Sequence, residues 1–202
     1  VAANGSASQV ELWEPALTTR NRFEDALAEL LAAWTDDGQV TRDTPRRVMK
    51  MLLEMTAGYK LDPAAILATS FQANSDELVA LKDIPFSSIC EHHLMPFTGL
   101  AHVGYLPEDG FVVGISKLAR LVDCFALRLQ LQERMCQQIA EALIKHVSSR
   151  GAAVVIQAGH SCLACRGARK NDATFITSAM LGRFRDNGEL RREFFGTLLL
   201  RD

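Results

Sequence analysis

The sequence predicts an α+β protein, with an antiparallel sheet and helices packed on one face of it. Three observations predict this. Apolar residues recur at helical spacing through the first third of the chain. Near Asp76 the pattern changes to short strand-like runs broken by turn residues. From there the order reads two strands, two helices, two strands and a helix. The change divides residues 1–75, a helical N-terminal extension, from residues 76–202, which hold the sheet. At 202 residues, 48% apolar and 23% charged, the chain is long enough to bury a real core and ordinary in composition.

Each element has a local reason. Phe23, Ala26, Leu27, Leu30, Leu31 and Trp34 form one helical stripe, which Asp36-Asp37-Gly38 breaks. Asp43-Thr44-Pro45 reads as a cap followed by a first-turn proline, opening a helix through about Tyr59. Asp62-Pro63 starts a short helix. Leu78–Ser88 and Thr98–Leu106 read as strands, with Pro107-Glu108-Asp109-Gly110 as the turn after the second. Ser116 begins a long helical stretch with two stripes. The first is Leu118, Leu121, Val122 and Phe125; the second is Leu131, Met135, Ile139, Leu143 and Val147. Gly151 is placed to end it. Ala152–Ala158 and Ala173–Leu181 are the later strands, and Glu189–Leu200 is the closing helix.

Composition excludes several classes. A net charge of -2 gives no bulk reason to expect nucleic acid or an anionic membrane as partner. No apolar run approaches the roughly 18 residues of a membrane span. Val1–Gln9 is small and polar, without the basic start and apolar block of a secretory leader. Five cysteines, an odd count, favour reduced thiols in a cytoplasmic protein over a disulfide framework.

The chemistry sits in two clusters. Cys90-Glu91-His92-His93 follows the first strand, and a cysteine and a histidine three apart can meet one metal ion. Downstream, His160-Ser161-Cys162-Leu163-Ala164-Cys165-Arg166-Gly167 offers Cys162 as a third ligand. Three protein ligands leave one position for water, as catalytic zinc sites do. The alternative is a closed structural site with Cys165 as the fourth ligand. A cytidine deaminase fits less well, because the His-x-Glu half of its signature is absent.

These residues lie in motifs that resemble GTP cyclohydrolase I. The segment Ser88 to Pro107 around Cys90-Glu91-His92-His93 carries the resemblance. So do Gly114-Ile-Ser-Lys-Leu-Ala-Arg-Leu-Val-Asp123, Arg128-Leu-Gln-Leu-Gln-Glu-Arg-Met135 and His160-Ser-Cys-Leu-Ala-Cys-Arg-Gly167. It runs from about Asp43 to Phe195, in the family's order and with similar gaps. The resemblance implies a T-fold catalytic domain behind the N-terminal extension, assembled as a homodecamer. It implies conversion of GTP and water to 7,8-dihydroneopterin triphosphate and formate.

The same resemblance implies roles. Zinc falls on Cys90, His93 and Cys162, where it activates water for attack at C8 of guanine. His160 is the general acid at N7, and His92 assists proton transfer during ring opening. Glu133 faces the guanine edge, because a carboxylate accepts from N1–H and the 2-amino group together. Gln132 contacts the base beside it. Ser116, Lys117, Arg120, Arg166 and Arg47 hold the triphosphate, in part across subunits. No Gly-x-x-x-x-Gly-Lys-Ser/Thr loop is present to do so. His102 and His146 read as structural, and Cys124 and Cys136 as packing residues. Cys165 stands where the family pattern leads us to expect an apolar residue, and Leu127 replaces a polar or basic one. Two rivals remain: an inert zinc-holding protein of the same fold, and a nitrile reductase acting on a deazaguanine. The second is not expected to carry Cys-Glu-His-His with a distant His-x-Cys.

Overall fold

The computed structural model describes residues 15–200, so the Val1–Gln9 segment weighed for a leader lies outside the described residues. The chain forms two compact units, Val1–Lys60 and Leu61–Asp202. In the first, α1 (Leu17–Ala32) packs against α2 (Gly38–Met55). The second helix starts earlier than Asp43-Thr44-Pro45 suggests. Asp37 caps it, accepting from the Gln39 N–H at 2.8 Å, and Pro45 lies inside it. The Asp-Asp-Gly run that reads as a breaker is also a strong N-cap, and the cap decided where the helix begins.

The second unit opens with α3 (Pro63–Leu67), capped by Asp62 through the Ala64 N–H at 2.9 Å. It continues with β1 (Ser70–Gln72), β2 (Val79–Cys90), β3 (Pro96–Pro107) and β4 (Phe111–Val113). Next come α4 (Ile115–Ala126), β5 (Leu129–Gln130), α5 (Gln132–His146) and β6 (Ser149–His160). The chain closes with α6 (Ser161–Ala164), β7 (Phe175–Gly182), α7 (Arg183–Asp186) and α8 (Gly188–Leu199). The main sheet has the order β5-β2-β3-β6-β7, antiparallel except for the short β2–β5 pairing. Strands β1 and β4 form a separate pair. The long strands and helices follow the ββααββ order of a T-fold.

Strand alternation sorts the core. Val103, Tyr105, Val154 and Ile156 face α4 and α5, where Leu118, Leu121, Met135 and Ile139 cover them. Each such side chain taken fully out of water contributes roughly 1.5–3 kcal/mol. The intervening residues Leu106, Ala153 and Val155 face the other way, onto Phe184, Leu190 and Phe194. The closing helix therefore covers part of the second face, in addition to the two helices on the first. Gly104 makes room for it, since a Cβ there would lie 2.8 Å from the Phe194 ring. Gly151 does not end α5, which stops at His146. Gly151 pairs with Gly182 within the sheet, where a Cβ would lie 2.9 Å from the Arg183 nitrogen. Close approach of backbones, not helix termination, is what requires glycine there.

His102 shows how the sheet satisfies an irregularity. The β2–β3 register shifts between Leu81 and Ile84, and Asp83 takes a φ of 56°. The Asp83 N–H leaves the ladder and donates to Nδ1 of His102 at 3.0 Å. Burial holds the His102 imidazole below its usual pKa. The Asp83 carboxylate opposes that shift and Lys82 adds to it. The folded pKa lies below the unfolded value of about 6.5, so the fold favours the neutral ring. That contribution is present above about pH 6.5 and is lost as the pH falls from there toward the folded pKa. A His102→Asn variant keeps an acceptor for the Asp83 N–H but cannot titrate. Between pH 7.5 and 5.5, about one unit either side of that value, the wild-type melting temperature should fall further than the variant's. Parallel losses in the two proteins would show that His102 contributes no such dependence.

Candidate metal centre and its cavity

The site forms where three strands end together. β2 runs out at Cys90, and a tight turn returns the chain to β3. The His93 and Leu94 N–H groups both donate to the Cys90 carbonyl, and Leu94 has a φ of 52°. β6 ends at His160, which is in register with Phe97 of β3, and α6 follows with Cys162 in its first turn. Glu91 donates its N–H to the Gln130 carbonyl, which ties the turn to β5, just ahead of α5. Arg134 fastens the same turn from its side chain, binding both Glu91 carboxylate oxygens as well as the Leu129 carbonyl. The hydrogen bond from Arg134 holds the Glu91 carboxyl below the usual carboxylate range.

Cys90, His93 and Cys162 come together here. One donor atom from each lies within 4.8 Å of the other two. The Cys90 Sγ to His93 Nδ1 separation is 3.8 Å. Zinc bonds of about 2.3 Å to sulfur and 2.0–2.1 Å to nitrogen place tetrahedral ligands about 3.5–3.8 Å apart. The three residues therefore fit such an ion with little movement. Burial, and then the neighbouring Cys90 sulfur, push the Cys162 thiol up. Two sulfurs this close resist becoming thiolates together unless a cation lies between them. Cys165 stands apart: it is exposed, and its thiol donates to the Ser161 carbonyl at 2.8 Å. The four-ligand closure with Cys165 that the sequence left open is not formed.

A cavity of about 510 Å³ opens beside these ligands. Cys90, His92, His93, Gln132, Glu133, His160 and Cys162 all line it, with Phe175 and Leu163 among its apolar walls. His160 stacks on Phe97 with ring centroids 4.5 Å apart and planes within 4°. Its pKa is held below the ordinary histidine value by burial, against the pull of Glu133. His92 is exposed at the turn, 3.9 Å from Glu91. Glu133 stands exposed in the first turn of α5, whose N-cap residue Leu131 provides no side-chain cap. The helix therefore begins with N–H groups that have no intrahelical acceptor, beside a carboxylate.

Gln132 is only 1% exposed, and its side chain is committed within the fold to Ile156, Phe175, Thr177 and His160. The residues expected at the triphosphate are not gathered in this cavity. Ser116, Lys117 and Arg120 occupy the first turns of α4, and Arg166 is exposed after α6. Arg47 belongs to the N-terminal unit, where it pairs with Asp43 at 3.7 Å. Two contributors escaped the sequence reading. Phe97, one residue ahead of the strand expected at Thr98–Leu106, carries no signal of its own until its register with His160 is known. Arg134 and Glu91 are 43 residues apart, with no spacing signal to join them.

A family model described as GTP cyclohydrolase I matches residues 23–198. This chain belongs to the GTP cyclohydrolase I family. GTP cyclohydrolase 1 of Mycobacterium ulcerans (strain Agy99) is 47% identical over 199 residues, covering 95% of this chain and 98% of the relative. The protein of that name from Dehalococcoides mccartyi (strain ATCC BAA-2266 / KCTC 15142 / 195) is 48% identical over 78% of this chain and 84% of its own length. Among solved structures, the apo archaeosine synthase QueF-Like is similar over 54% of this chain and 96% of its own, at 20% identity and a TM-score of 0.44. GTP cyclohydrolase I membership thus agrees with a Cys-His-Cys group beside a cavity that can admit a ligand. Among the described residues, no helix is long and apolar enough to cross a membrane.

Proposed function

We propose that this protein hydrolyses GTP at C8 of the guanine ring and converts it to 7,8-dihydroneopterin triphosphate with release of formate, using zinc. The observation that carries this reading is the single cavity that joins Cys90, His93 and Cys162 to His160 and Glu133. When bound, zinc supplies Lewis acidity and makes water a nucleophile near neutral pH.

The chain's own residues do the rest. The Glu133 carboxylate accepts from guanine N1–H and the 2-amino group, while the uncapped start of α5 offers N–H donors toward O6. That array matches guanine and not adenine, which lacks the paired donors. His160 donates a proton at N7, which makes C8 more electrophilic. Phe97 and Phe175 hold the ring that does so. His92, at the edge of the cavity, assists proton transfer as the ring opens. Ser116, Lys117, Arg120, Arg166 and Arg47 supply charge and hydrogen bonds for the triphosphate. Ser116, Lys117, Arg120 and Arg166 are not among the residues that line the cavity, which favours a homodecamer in which neighbouring chains complete each site, in the cytoplasm. Neither nucleic acid nor a membrane is a partner in this reading.

The test is direct. Zinc-loaded protein given GTP should release formate and yield a fluorescent pterin after oxidation and dephosphorylation. An assembled, metal-loaded sample that produces neither would sink the assignment, and GTP binding without turnover would favour an inert relative.

A further inference from the structure

The side chain of Gln132 is placed unlike that of a residue that reads a base. It is 1% exposed at the start of α5, and it reaches across to β7 at one edge of the sheet and to β6 beside it. Its Nε2 lies 3.0 Å from the Ile156 carbonyl, 3.0 Å from the Phe175 carbonyl and 3.2 Å from Thr177 Oγ1. Its Oε1 lies 2.9 Å from Nε2 of His160.

These contacts settle which way the amide faces. Turned over, Oε1 would oppose two backbone carbonyl oxygens, neither of which can donate, in a buried setting where unpaired acceptors are costly. The amino end must therefore face Ile156 and Phe175. The oxygen end must face His160, and an amide oxygen carries no hydrogen. The hydrogen between Gln132 and His160 consequently belongs to His160 Nε2.

The other ring nitrogen follows by elimination. Among the described residues, no buried side-chain nitrogen or oxygen lacks a partner, and Gln132 is the hydrogen-bond partner of the His160 ring, through Nε2. His160 Nδ1 is thus open to solvent, in a residue that lines the cavity. Phe97 fixes the plane of the ring by stacking at 4.5 Å, and Phe175 meets its edge at 5.7 Å and 75°. Stacking sets the plane but leaves open the 180° flip about Cβ–Cγ, which would put a ring carbon where Nε2 now stands. Gln132 removes that freedom.

We propose that Gln132 is a positioning residue that holds His160 as the Nε2–H tautomer, so that Nδ1 is the nitrogen presented to the substrate. The inference rests on the role given to His160 in the proposed reaction. Gln132 itself touches neither the purine nor the metal through its side chain. A histidine that delivers a proton must hold it on the nitrogen aimed at the receiving atom. With Nε2–H kept on Gln132, the proton given to N7 is one that His160 first takes up at Nδ1 from solvent, and its transfer returns the ring to the Nε2–H tautomer. A partner on the other nitrogen sets both the aim and the tautomer.

Two measurements test this. The first needs no variant and no substrate. Solid-state 15N spectra of zinc-loaded, histidine-labelled protein at a pH where the rings are neutral should show the His160 signal as the Nε2–H form. The signal is identified by its disappearance in His160→Gln. An Nδ1–H form would overturn the proposal. The second is kinetic. Gln132→Met, close in volume, should lower kcat about tenfold to a hundredfold, with KM for GTP little changed. A rise in KM at unchanged kcat would mean that Gln132 binds the base. In single-turnover assays the Gln132→Met change should cost nothing further once His160→Ala is present. An equal loss in both backgrounds would mean a general structural role and would also overturn the proposal. If the wild type does not turn over GTP, the functional assignment fails, while the tautomer measurement still decides the role of Gln132.

Discussion

Replacing Cys162 with alanine should abolish metal binding and lower formate release on the order of a thousandfold or more, whereas Cys165→Ala should leave both intact. The two cysteines are three residues apart and chemically alike, so only geometry separates them. Cys162 Sγ lies in the group with Cys90 and His93, all within 4.8 Å of one another. Cys165 faces solvent and donates to the Ser161 carbonyl. Losing one of three protein ligands leaves a thiol and an imidazole from one short turn, a poor chelate beside the original set. The Lewis acidity lost with the ion is worth several kcal/mol of barrier, and about 1.4 kcal/mol is tenfold in rate. Folding should change little in either variant, because Cys162 is only half-buried at the margin of the core and Cys165 is exposed just after α6. Metal content and formate release, measured on the same samples, check this. Full metal in Cys162→Ala, or loss of metal in Cys165→Ala, would mean that a different ligand set operates.

What the sequence made legible follows from how locally each feature is encoded. Asp62-Pro63, the long strands and the closing helix are written in neighbouring residues, and all of them form. The candidate metal ligands were legible because Cys90 and His93 share one turn and Cys162 lies in a second cluster downstream; the resemblance then set Cys165 aside. Asp37 and Asp43 both precede plausible helix starts, and Pro45 favours the later one in sequence, but the Asp37 cap sets where α2 begins. Gly151 was misread because its reason lies across the sheet, at Gly182 and Arg183, far from it in sequence. The same holds for the support beneath His160. Phe97, Gln132 and Phe175 converge only through the β3–β6 and β6–β7 registers and the start of α5. Residue identity announces a ligand or an acid; tertiary register decides what orients it.

The second large effect concerns the choice of base. Glu133→Ala should lower kcat/KM for GTP by about a hundredfold to a thousandfold, because two hydrogen bonds to a charged acceptor are lost at roughly 1.5–3 kcal/mol each, only partly offset by water. The more telling outcome is a ratio. Inosine triphosphate keeps N1–H and O6 but lacks the 2-amino group. In the wild type it forfeits one of the two bonds to Glu133 and leaves a carboxylate oxygen unpaired, so GTP should be strongly preferred. In Glu133→Ala no acceptor remains to notice the difference, and the preference should shrink toward unity. Glu133→Gln should fall between, since its amide retains one acceptor and sets a donor where guanine already offers one. A stability explanation is weak at this position. Glu133 is exposed, and a first-turn acid adds only about 0.3–1 kcal/mol to its helix. Formate release from both nucleotides, measured under identical conditions for the three proteins, gives the ratio. If Glu133→Ala keeps the wild-type preference for GTP over inosine triphosphate, the guanine edge is read elsewhere in the cavity.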